Sequence, residues 1–457
     1  MTPGTPESKS VRDTETAGRN RKMSVDSSRA RSSVPHLIIL AFPVLLAMNG
    51  LVSQVLADRG HAGLAFGALK DLALVVLLAW CVWQRRLKQL DGMLVALVVA
   101  YVLCGAVSAV WSNDALAAMY GWRNDYEPAL LLLAATPFFA DENLRSRWIV
   151  AVAATMNVAS VALVVTWAVG LDWLVRLGIL PVAPGEPFPS SYFSAGEAVP
   201  RGFSPWVAPN QAGVALVMML ACVLAGATWR WWIRLAVCVI PVVGVFLTSS
   251  RSAWLGLVAV GFGIIVIQVL KRWGVRFALI AAAAALAAAG AGSWWYFGAS
   301  GRMASDPSLG GHSSSLNEAL SLITARPWGH GLGDVGPRSS LYGGEGILIE
   351  SFWLLIATEA GVLALLLFLA VQVVVAVRLL VARSWPAWAG LLVIAGSVVS
   401  QVVLPTFQEG AVVYFFWLSL AWALGWLLNP RNDSDRLGRP LGRPKHRLDH
   451  EPTTSSV

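Results

Sequence analysis

The chain has 457 residues, of which 56% are hydrophobic and only 13% are charged, and its net charge is +8. Soluble domains contain about 25% charged and about 45–50% apolar residues, so this chain cannot bury its apolar side chains in one or two water-soluble cores. The composition excludes a soluble enzyme and a disordered scaffold. The long, continuous apolar runs exclude a β-barrel, whose strands would show short alternating segments.

The chain begins and ends with polar, basic segments, and twelve apolar runs lie between them. Residues 1–35 predict a disordered tail rather than a cleavable signal peptide, and residues 429–457 predict a second disordered tail. A membrane-spanning helix needs about 20 apolar residues, so the runs predict an all-α, polytopic membrane domain over residues 36–428 with about twelve transmembrane helices. The predicted spans are 36–56, 64–83, 92–111, 126–140, 148–170, 208–228, 232–248, 252–270, 276–297, 349–377, 385–404 and 410–428.

The distribution of Lys and Arg predicts the orientation of the chain in the membrane. An even number of spans places both tails on one side, and the tails with the alternate loops hold 25 of the 34 basic residues. Because cytoplasmic loops carry the excess of basic residues, both termini are predicted to be cytoplasmic. Topology therefore accounts for the net charge, and no basic face interleaved with aromatic residues predicts binding to nucleic acid.

Two long loops, residues 171–207 and 298–348, are predicted on the extracytoplasmic side, whereas the cytoplasmic loops are short. The first loop is rich in Pro, Gly and Ser. The second contains the stretch 314–325, which has apolar residues at helical spacing and predicts an amphipathic helix. Long loops of this kind are usually functional or disordered, so the working surface is expected on the outer side of the membrane.

Few ionisable residues lie close to the apolar runs. Each of them needs an explanation, because a charge inside a membrane is energetically costly. Three arginines lie near outer ends of predicted spans, namely Arg123, Arg201 and Arg251. Glu350 begins the tenth span. The planar guanidinium binds phosphate through two hydrogen bonds, and a carboxylate beside it stays ionised and accepts a proton. The arginines and the carboxylate therefore predict a site that binds an anion such as phosphate, with a base beside it. The alternative is that these residues, with Lys70, Asp71 and Glu359, are interfacial anchors and structural ion pairs.

Neither a metal nor a nucleotide cofactor is expected. Four cysteines fall inside apolar runs, at spacings that fit neither a metal site nor a disulfide framework: Cys81, Cys104, Cys222 and Cys238. His312 and His330 are the only histidines of the second outer loop, and no acidic or cysteine cluster accompanies them. The glycines of 329–333 follow no predicted strand, so they do not predict a nucleotide-binding loop.

Four segments together resemble the superfamily of O-antigen ligases and polysaccharide polymerases. Residues 248–256 read Thr-Ser-Ser-Arg-Ser-Ala-Trp-Leu-Gly and are similar to its T-x-S-R-x-A-W-L-G signature. Arg201 followed by the Pro-Asn-Gln of 209–211 resembles its R…PN segment. Residues 325–333 resemble its glycine-rich loop, and 350–361 resemble the start of the span after that loop. The similarity covers roughly residues 110–425.

The resemblance implies a membrane enzyme that transfers a glycan outside the cytoplasmic membrane. The implied donor is a glycan on undecaprenyl diphosphate, and the implied acceptor is a hydroxyl of a glycan or of a lipid-linked sugar. By this resemblance, Arg251 and Arg201 bind the diphosphate, with Arg123 as a third ligand. A diphosphate leaves readily when its charge is stabilised, and the acceptor hydroxyl needs a base, so neither metal nor nucleotide is required.

The chain departs from the ligases at the position of the base. The ligases have a histidine eleven residues before the glycine that matches Gly361, and Glu350 occupies that position here. This departure favours a polymerase over a ligase, with Glu350 as the base and His312 as the alternative base. A twelve-span polysaccharide or lipid-linked sugar transporter is the competing class, although transporters place their charges near the midplane between repeated halves. A peptidoglycan polymerase of the shape-and-division type is a third option.

Overall fold

The computed structural model describes residues 34–56, 61–180, 201–206, 208–274, 276–277, 280, 307–336, 339, 347, 349–408 and 410–429. Every regular element of these residues is a helix, as the sequence predicts. The α-helices are α1 (Val34–Val55), α2 (His61–Trp83), α3 (Gly92–Ser108), α4 (Ala115–Asp125), α5 (Leu130–Ala135), α6 (Glu142–Val169), α7 (Asp172–Arg176), α8 (Pro209–Gly226), α9 (Trp231–Leu247), α10 (Arg251–Trp273), α11 (Pro307–Ala325), α12 (Phe352–Ala360), α13 (Val362–Ala382), α14 (Trp385–Val403) and α15 (Gly410–Gly425).

Nine helices in the described part of the chain are long and apolar enough to cross a membrane. They are α1, α2, α3, α6, α8, α10, α13, α14 and α15. Helix α9, with 17 residues, lies where the seventh span was predicted. The ninth predicted span, 276–297, falls almost wholly outside the described residues, as do the two tails. The predicted number of twelve spans is therefore not confirmed.

The fourth predicted span, 126–140, is not one helix. Helix α4 ends at Asp125, and α5 is flanked by the short 3-10 turns Glu127–Ala129 and Phe138–Ala140. Pro128 and Pro137 lie at these interruptions, because proline lacks an N–H and clashes with the preceding helical turn. The segment is almost entirely buried, so neighbouring helices surround its irregular backbone.

The tenth predicted span, 349–377, is two helices. Helix α12 ends at Ala360 and α13 begins at Val362, while Gly361 between them has a φ of +89°. A β-carbon on Gly361 would lie 2.6 Å from the carbonyl carbon of Trp328. Another part of the chain therefore approaches the backbone here too closely for any side chain, and the helix ends.

Helices α8 and α15 form the centre of the bundle. In each of these two helices, 83% of an 18-residue apolar stretch is buried, against 22% of the corresponding stretch in α2 and in α10. Trp148 of α6 stacks on Phe415 and Trp422 of α15, with ring centroids 5.9 and 5.5 Å apart. The peripheral helices leave many large apolar side chains exposed, as expected where lipid rather than water surrounds the bundle.

The two ends of the bundle differ in charge. Asp91 at the start of α3 pairs with Arg378 near the end of α13 at 2.8 Å, and Lys271 near the end of α10 lies 3.3 Å from the centroid of Trp385, at the start of α14. The helix ends and turns at this end, called the basic end below, carry Arg85, Arg86, Lys88, Arg147, Arg272 and Arg383. The starts of α8 and α10 lie at the other end, called the opposite end below.

The long loops contain helices of their own. Residues 171–207 begin with the short helix α7, and residues 181–200 lie outside the described part. Residues 298–348 include α11, so the stretch 314–325 is helical as predicted. Ala319 of α11 is buried, whereas Leu316 and Leu320 are 48% and 46% exposed.

All four cysteines are free thiols, and Cys104 alone of them is only half-buried.

Candidate functional site

Arg251 is the first residue of α10 and is exposed at the opposite end of the bundle. The preceding turn is tight: Ser249 has a φ of +49°, and the N–H of Ser250 donates to Oγ1 of Thr248 at 3.3 Å. Thr248 and Ser250 are buried. The Thr-Ser-Ser sequence therefore reverses the chain between α9 and α10 and leaves the arginine on the surface at the helix start.

The start of α8 lies beside the start of α10. A β-carbon on Gly213, in the first turns of α8, would lie 2.6 Å from Cβ of Ala253 and 3.0 Å from Oγ1 of Thr248. The two helices therefore begin side by side at the same end. The first N–H groups of a helix have no partner within the helix, so paired helix starts create a region that favours anions.

Arg201 is brought to the same place by its neighbour in the chain. The N–H of Gly202 donates to the carbonyl oxygen of Leu247 at 3.0 Å, at the end of α9. The N–H of Phe203 donates to Oγ1 of Thr166 at 2.9 Å and fixes the segment against α6. Leu247 precedes Arg251 by four residues, so the backbone next to Arg201 lies near the start of α10, although fifty positions separate the two arginines in the sequence.

Glu350 lies two residues before α12 rather than inside a helix. Its N–H donates to Oγ of Ser315 in α11 at 2.9 Å, and its side chain is half-buried. Ser351 is the N-cap of α12, where its side chain accepts a hydrogen bond from the N–H of Leu354 at 3.4 Å. Glu350 therefore lies just before a short helix, with its backbone bound to α11.

The contact between α10 and α14 gives the position of Arg251 along the length of the bundle. A β-carbon on Gly256 would lie 2.5 Å from the carbonyl oxygen of Gly396, so α10 and α14 are closest at these glycines. Arg251 and Gln401 each lie five residues from them toward the opposite end, a rise of about 7–8 Å along either helix. Gln401 of α14 is therefore level with Arg251.

Glu350 approaches the same level through α12. Nε1 of Trp353, three residues after Glu350, donates to Oε1 of Gln401 at 3.0 Å. Gln401 is buried and also accepts a hydrogen bond from Nε2 of Gln372 at 3.1 Å. Arg251, at the start of α10, and Glu350, just before α12, thus lie toward the same end of the bundle, and both α10 and α12 pack against α14.

Arg123 belongs to a different part of the molecule. Its Nε and Nη2 both lie 2.5 Å from Oδ2 of Asp71 in α2, and Oδ1 of Asp71 lies 2.5 Å from Nζ of Lys70. The hydroxyl of Tyr414 donates to the same carboxylate at 2.8 Å. This group of side chains is the structural ion pair that the sequence left open as an alternative, and Arg123 as a diphosphate ligand stays a prediction.

The predicted histidines have different outcomes. His312 lies within α11, but its side chain is outside what the structure describes. His330 lies in the glycine-rich loop, and its Nε2 is 3.1 Å from the carbonyl oxygen of Leu322 in α11. His330 therefore ties the loop to the helix that contacts Glu350.

The glycine-rich loop has a structural function that the sequence analysis missed. The N–H groups of His330 and Gly331 donate to the carbonyl oxygens of Thr358 and Glu359 at 2.8 and 3.0 Å. The N–H of Gly333 donates to Oε1 of the buried Glu359 at 3.0 Å. The loop thus pairs with the last carbonyls of α12, and a helix can end inside an apolar bundle only when such groups find partners.

Asp334 fastens the other side of this loop. Its carboxylate accepts hydrogen bonds from Oγ of Ser112 at 3.0 Å and from Nδ2 of Asn113 at 2.8 Å, in the turn between α3 and α4. A β-carbon on Gly331 would lie 2.8 Å from Cα of Ser112. The repeated glycines of the motif were the available signal, because they mark where another backbone approaches closely.

The described residues contain no group of three or more His, Cys, Asp or Glu side chains that could hold a metal ion.

No curated protein matches the chain. The sequence model of the O-antigen ligase family matches residues 236–369, a range that contains Arg251, the glycine-rich loop and Glu350. This match confirms the resemblance stated from the sequence, and over these residues the chain is similar to the O-antigen ligase family, within the superfamily of O-antigen ligases and polysaccharide polymerases.

Proposed function

We propose that the protein is a membrane glycosyltransferase that elongates a polysaccharide on the outer side of the plasma membrane. The proposed donor is a glycan on undecaprenyl diphosphate, and the acceptor is a hydroxyl of a second glycan or lipid-linked sugar. The observation that carries the proposal is that the backbone next to Arg201 binds the end of α9, close to Arg251 and to the adjacent starts of α8 and α10. Two guanidinium groups and two helix starts form a site for a multiply charged anion.

The proposed reaction is a displacement at the anomeric carbon of the donor. The acceptor oxygen forms a bond to this carbon, and the bond from the carbon to the diphosphate oxygen breaks. The electron pair leaves with the diphosphate, whose growing charge Arg201 and Arg251 stabilise. The proton of the acceptor hydroxyl passes to the Glu350 carboxylate. No metal or cofactor takes part in this scheme.

Glu350 favours the polymerase over the ligase, because the ligases resembled by the chain have histidine at its position. Its backbone is held by Ser315 of α11. The N-terminus of α12 follows directly after Glu350. A ligase with the same diphosphate site is the alternative.

Arg251→Lys tests the proposal in membranes supplied with a lipid-linked repeat unit. Lysine keeps the charge but not the planar fork, so we expect polymer formation to fall about 10²–10³-fold while the protein still accumulates. Arg272→Lys is the matched control, because Arg272 lies in the last turn of the same helix at the basic end. Near-normal polymer formation by Arg251→Lys would reduce Arg251 to an interfacial anchor, and a flux assay would then test the transporter.

The orientation can be tested with single cysteines at the two ends of the bundle. Ser314 on α11 and Arg272 at the end of α10 are both exposed, whereas Ser315 is buried and unsuitable. We expect Ser314→Cys to react with a membrane-impermeant thiol reagent in intact cells and Arg272→Cys to react only after permeabilisation. The reverse pattern would place the proposed site in the cytoplasm and contradict the proposed donor side.

A further inference from the structure

A large cavity lined by described residues lies at the basic end, away from the proposed site. It measures about 920 Å³ and is lined by the starts of α6, α9 and α14 and by the ends of α8, α10, α13 and α15. Cavities of about 300–1,000 Å³ are typical of small-molecule sites. Nothing in the proposed transfer reaction uses this one.

Cations outnumber carboxylates in the lining of this cavity, where Glu142 accompanies Arg145, Arg147, Arg234, Lys271 and Arg383. Arg145 has structural partners, since its Nη1 donates to the carbonyl oxygens of Phe139 and Ala140 at 2.6 and 3.0 Å. Glu142 lies close enough to attract Arg145. Arg147, Arg234, Lys271 and Arg383 form no ion pair with a carboxylate of the described residues.

Arg234 and Lys271 point to an anion most directly. Nη1 of Arg234 donates to the carbonyl oxygen of Leu224 at 2.7 Å, but its buried Nε has no hydrogen-bond partner within the described part of the chain. Nζ of Lys271 lies over the ring of Trp385 at 3.3 Å, and the Arg234 guanidinium lies 5.7 Å from the same ring. The indole holds two cations together that would otherwise repel each other.

An apolar groove of about 220 Å³ adjoins the cavity and shares Arg234 and Trp385 with it. Its other walls include Leu235, Ile264 and Leu392 of α9, α10 and α14. Leu235 is 50% exposed on the outer face of α9, so the groove opens toward the surrounding lipid. The charged cavity thus continues into the apolar groove at the level of the membrane surface.

We infer that this cavity and groove bind an anionic phospholipid, with the headgroup phosphate on Arg234, Lys271 and Arg383 and one acyl chain in the groove. Basic pockets between helices on the cytoplasmic side bind anionic headgroups in this way, and the cytoplasmic leaflet supplies such lipids. A free phosphate would fit the charged cavity but would leave the apolar groove empty. The inference does not depend on the proposed glycosyl transfer, because binding is measured without donor or acceptor.

The test is thermal unfolding of the purified full chain in phosphatidylcholine nanodiscs with added lipid. Phosphatidylglycerol should raise the Tm, because a ligand that binds only the folded state stabilises it. Extra phosphatidylcholine with the same acyl chains, and inorganic phosphate at equal concentration, should not. An equal rise with phosphate alone, or no difference between the two lipids, would overturn the inference.

Variants locate the binding. Arg234→Gln with Lys271→Gln should weaken the apparent affinity for phosphatidylglycerol about tenfold or more, because two charge-assisted contacts to the headgroup phosphate are lost. Arg272→Gln, which removes a neighbouring cation outside the cavity, should bind as the wild type does. An equal loss in Arg272→Gln would mean that general surface charge attracts the lipid, and would contradict a built site.

A second pair of variants leaves the cations in place, so it remains informative if the double variant does not fold. Ile264→Trp fills the groove, whereas Ile265→Trp changes the adjacent residue, which is 53% exposed and outside the groove. Native mass spectrometry should show fewer phosphatidylglycerol molecules on Ile264→Trp than on Ile265→Trp. Equal occupancy would exclude an acyl chain from the groove and overturn the inference.

Discussion

Arg251 and Arg123 were both predicted to bind diphosphate, and the structure gives them opposite surroundings. Arg251 is exposed at the first position of α10, beside a second helix start. Arg123 lies within the bundle, where both of its contacting nitrogens are 2.5 Å from one oxygen of Asp71. A charge between helices needs a counterion, whereas a charge at a helix end meets water or a ligand.

The difference predicts two kinds of behaviour on mutation. Changes near Arg251 and Glu350 should alter activity with little effect on folding, because the arginine is exposed and the carboxylate is half-buried. Changes in the group formed by Lys70, Asp71 and Arg123 should alter folding first, because the charges there neutralise one another.

The largest effect is expected from Glu350→Gln. Glutamine keeps the size and most hydrogen bonds but cannot accept a proton at neutral pH, so polymer extension should fall about 10²–10⁴-fold. The Tm should stay close to that of the wild type. Glu318→Gln is the matched control, because Glu318 is exposed on α11 and carries no proposed role. The measurement is polymer length in membranes supplied with the lipid-linked repeat.

Two outcomes would change this assignment. If Glu350→Gln extends polymer normally and His312→Ala does not, His312 is the base. If both variants are active, neither predicted base carries the reaction, and the transporter becomes the better hypothesis.

The second effect concerns stability. Asp71→Asn leaves Lys70 and Arg123 without their shared carboxylate, and breaking a buried pair costs up to about 3–5 kcal/mol. Glu127 is close enough to attract the same cations, so the loss should fall below that limit. We expect a lower Tm in detergent and reduced accumulation in membranes. The measurement is thermal unfolding of the purified variant beside the wild type.

The double variant Asp71→Asn with Arg123→Gln sharpens the comparison between the two arginines. Removing one charge of each sign should recover part of the lost Tm, and activity should recover with it. A double variant that is stable but inactive would show that Arg123 contacts substrate, as the sequence predicted. Arg123 would then resemble Arg251 in function despite its partner.

The smallest effect is expected at the partly exposed pair of Asp91 and Arg378. The N–H of Leu94 and then the guanidinium of Arg378 lower the pKa of Asp91 at the start of α3. A lowered folded-state pKa stabilises the fold above the unfolded value of about 3.9, and this contribution is lost as pH falls through the folded value. Asp91→Asn should therefore lower the Tm slightly at about pH 7, and this difference should shrink as the pH falls below about 3.9. A large change at neutral pH would contradict the view that exposed pairs contribute little.

The sequence predicted the helical class and most of the spans, because membrane spans need long apolar runs whatever their neighbours are. It failed where the backbone is interrupted inside such a run. Nothing in the composition of 349–377 distinguishes one helix from two, and only the approach of Trp328 to Gly361 explains the break. The interrupted segment 126–140 likewise depends on surrounding helices to cover its backbone.

The sequence by itself determined which residue types could bind a diphosphate and accept a proton, since that depends on the chemistry of arginine and of carboxylates. Only the tertiary structure decided which arginines meet. Arg201 reaches the start of α10 through a backbone hydrogen bond to Leu247, and Arg123 is drawn away by Asp71, fifty-two residues before it. Such pairings depend on how helices far apart in the chain pack against each other, and neither apolar length nor charge count records that packing.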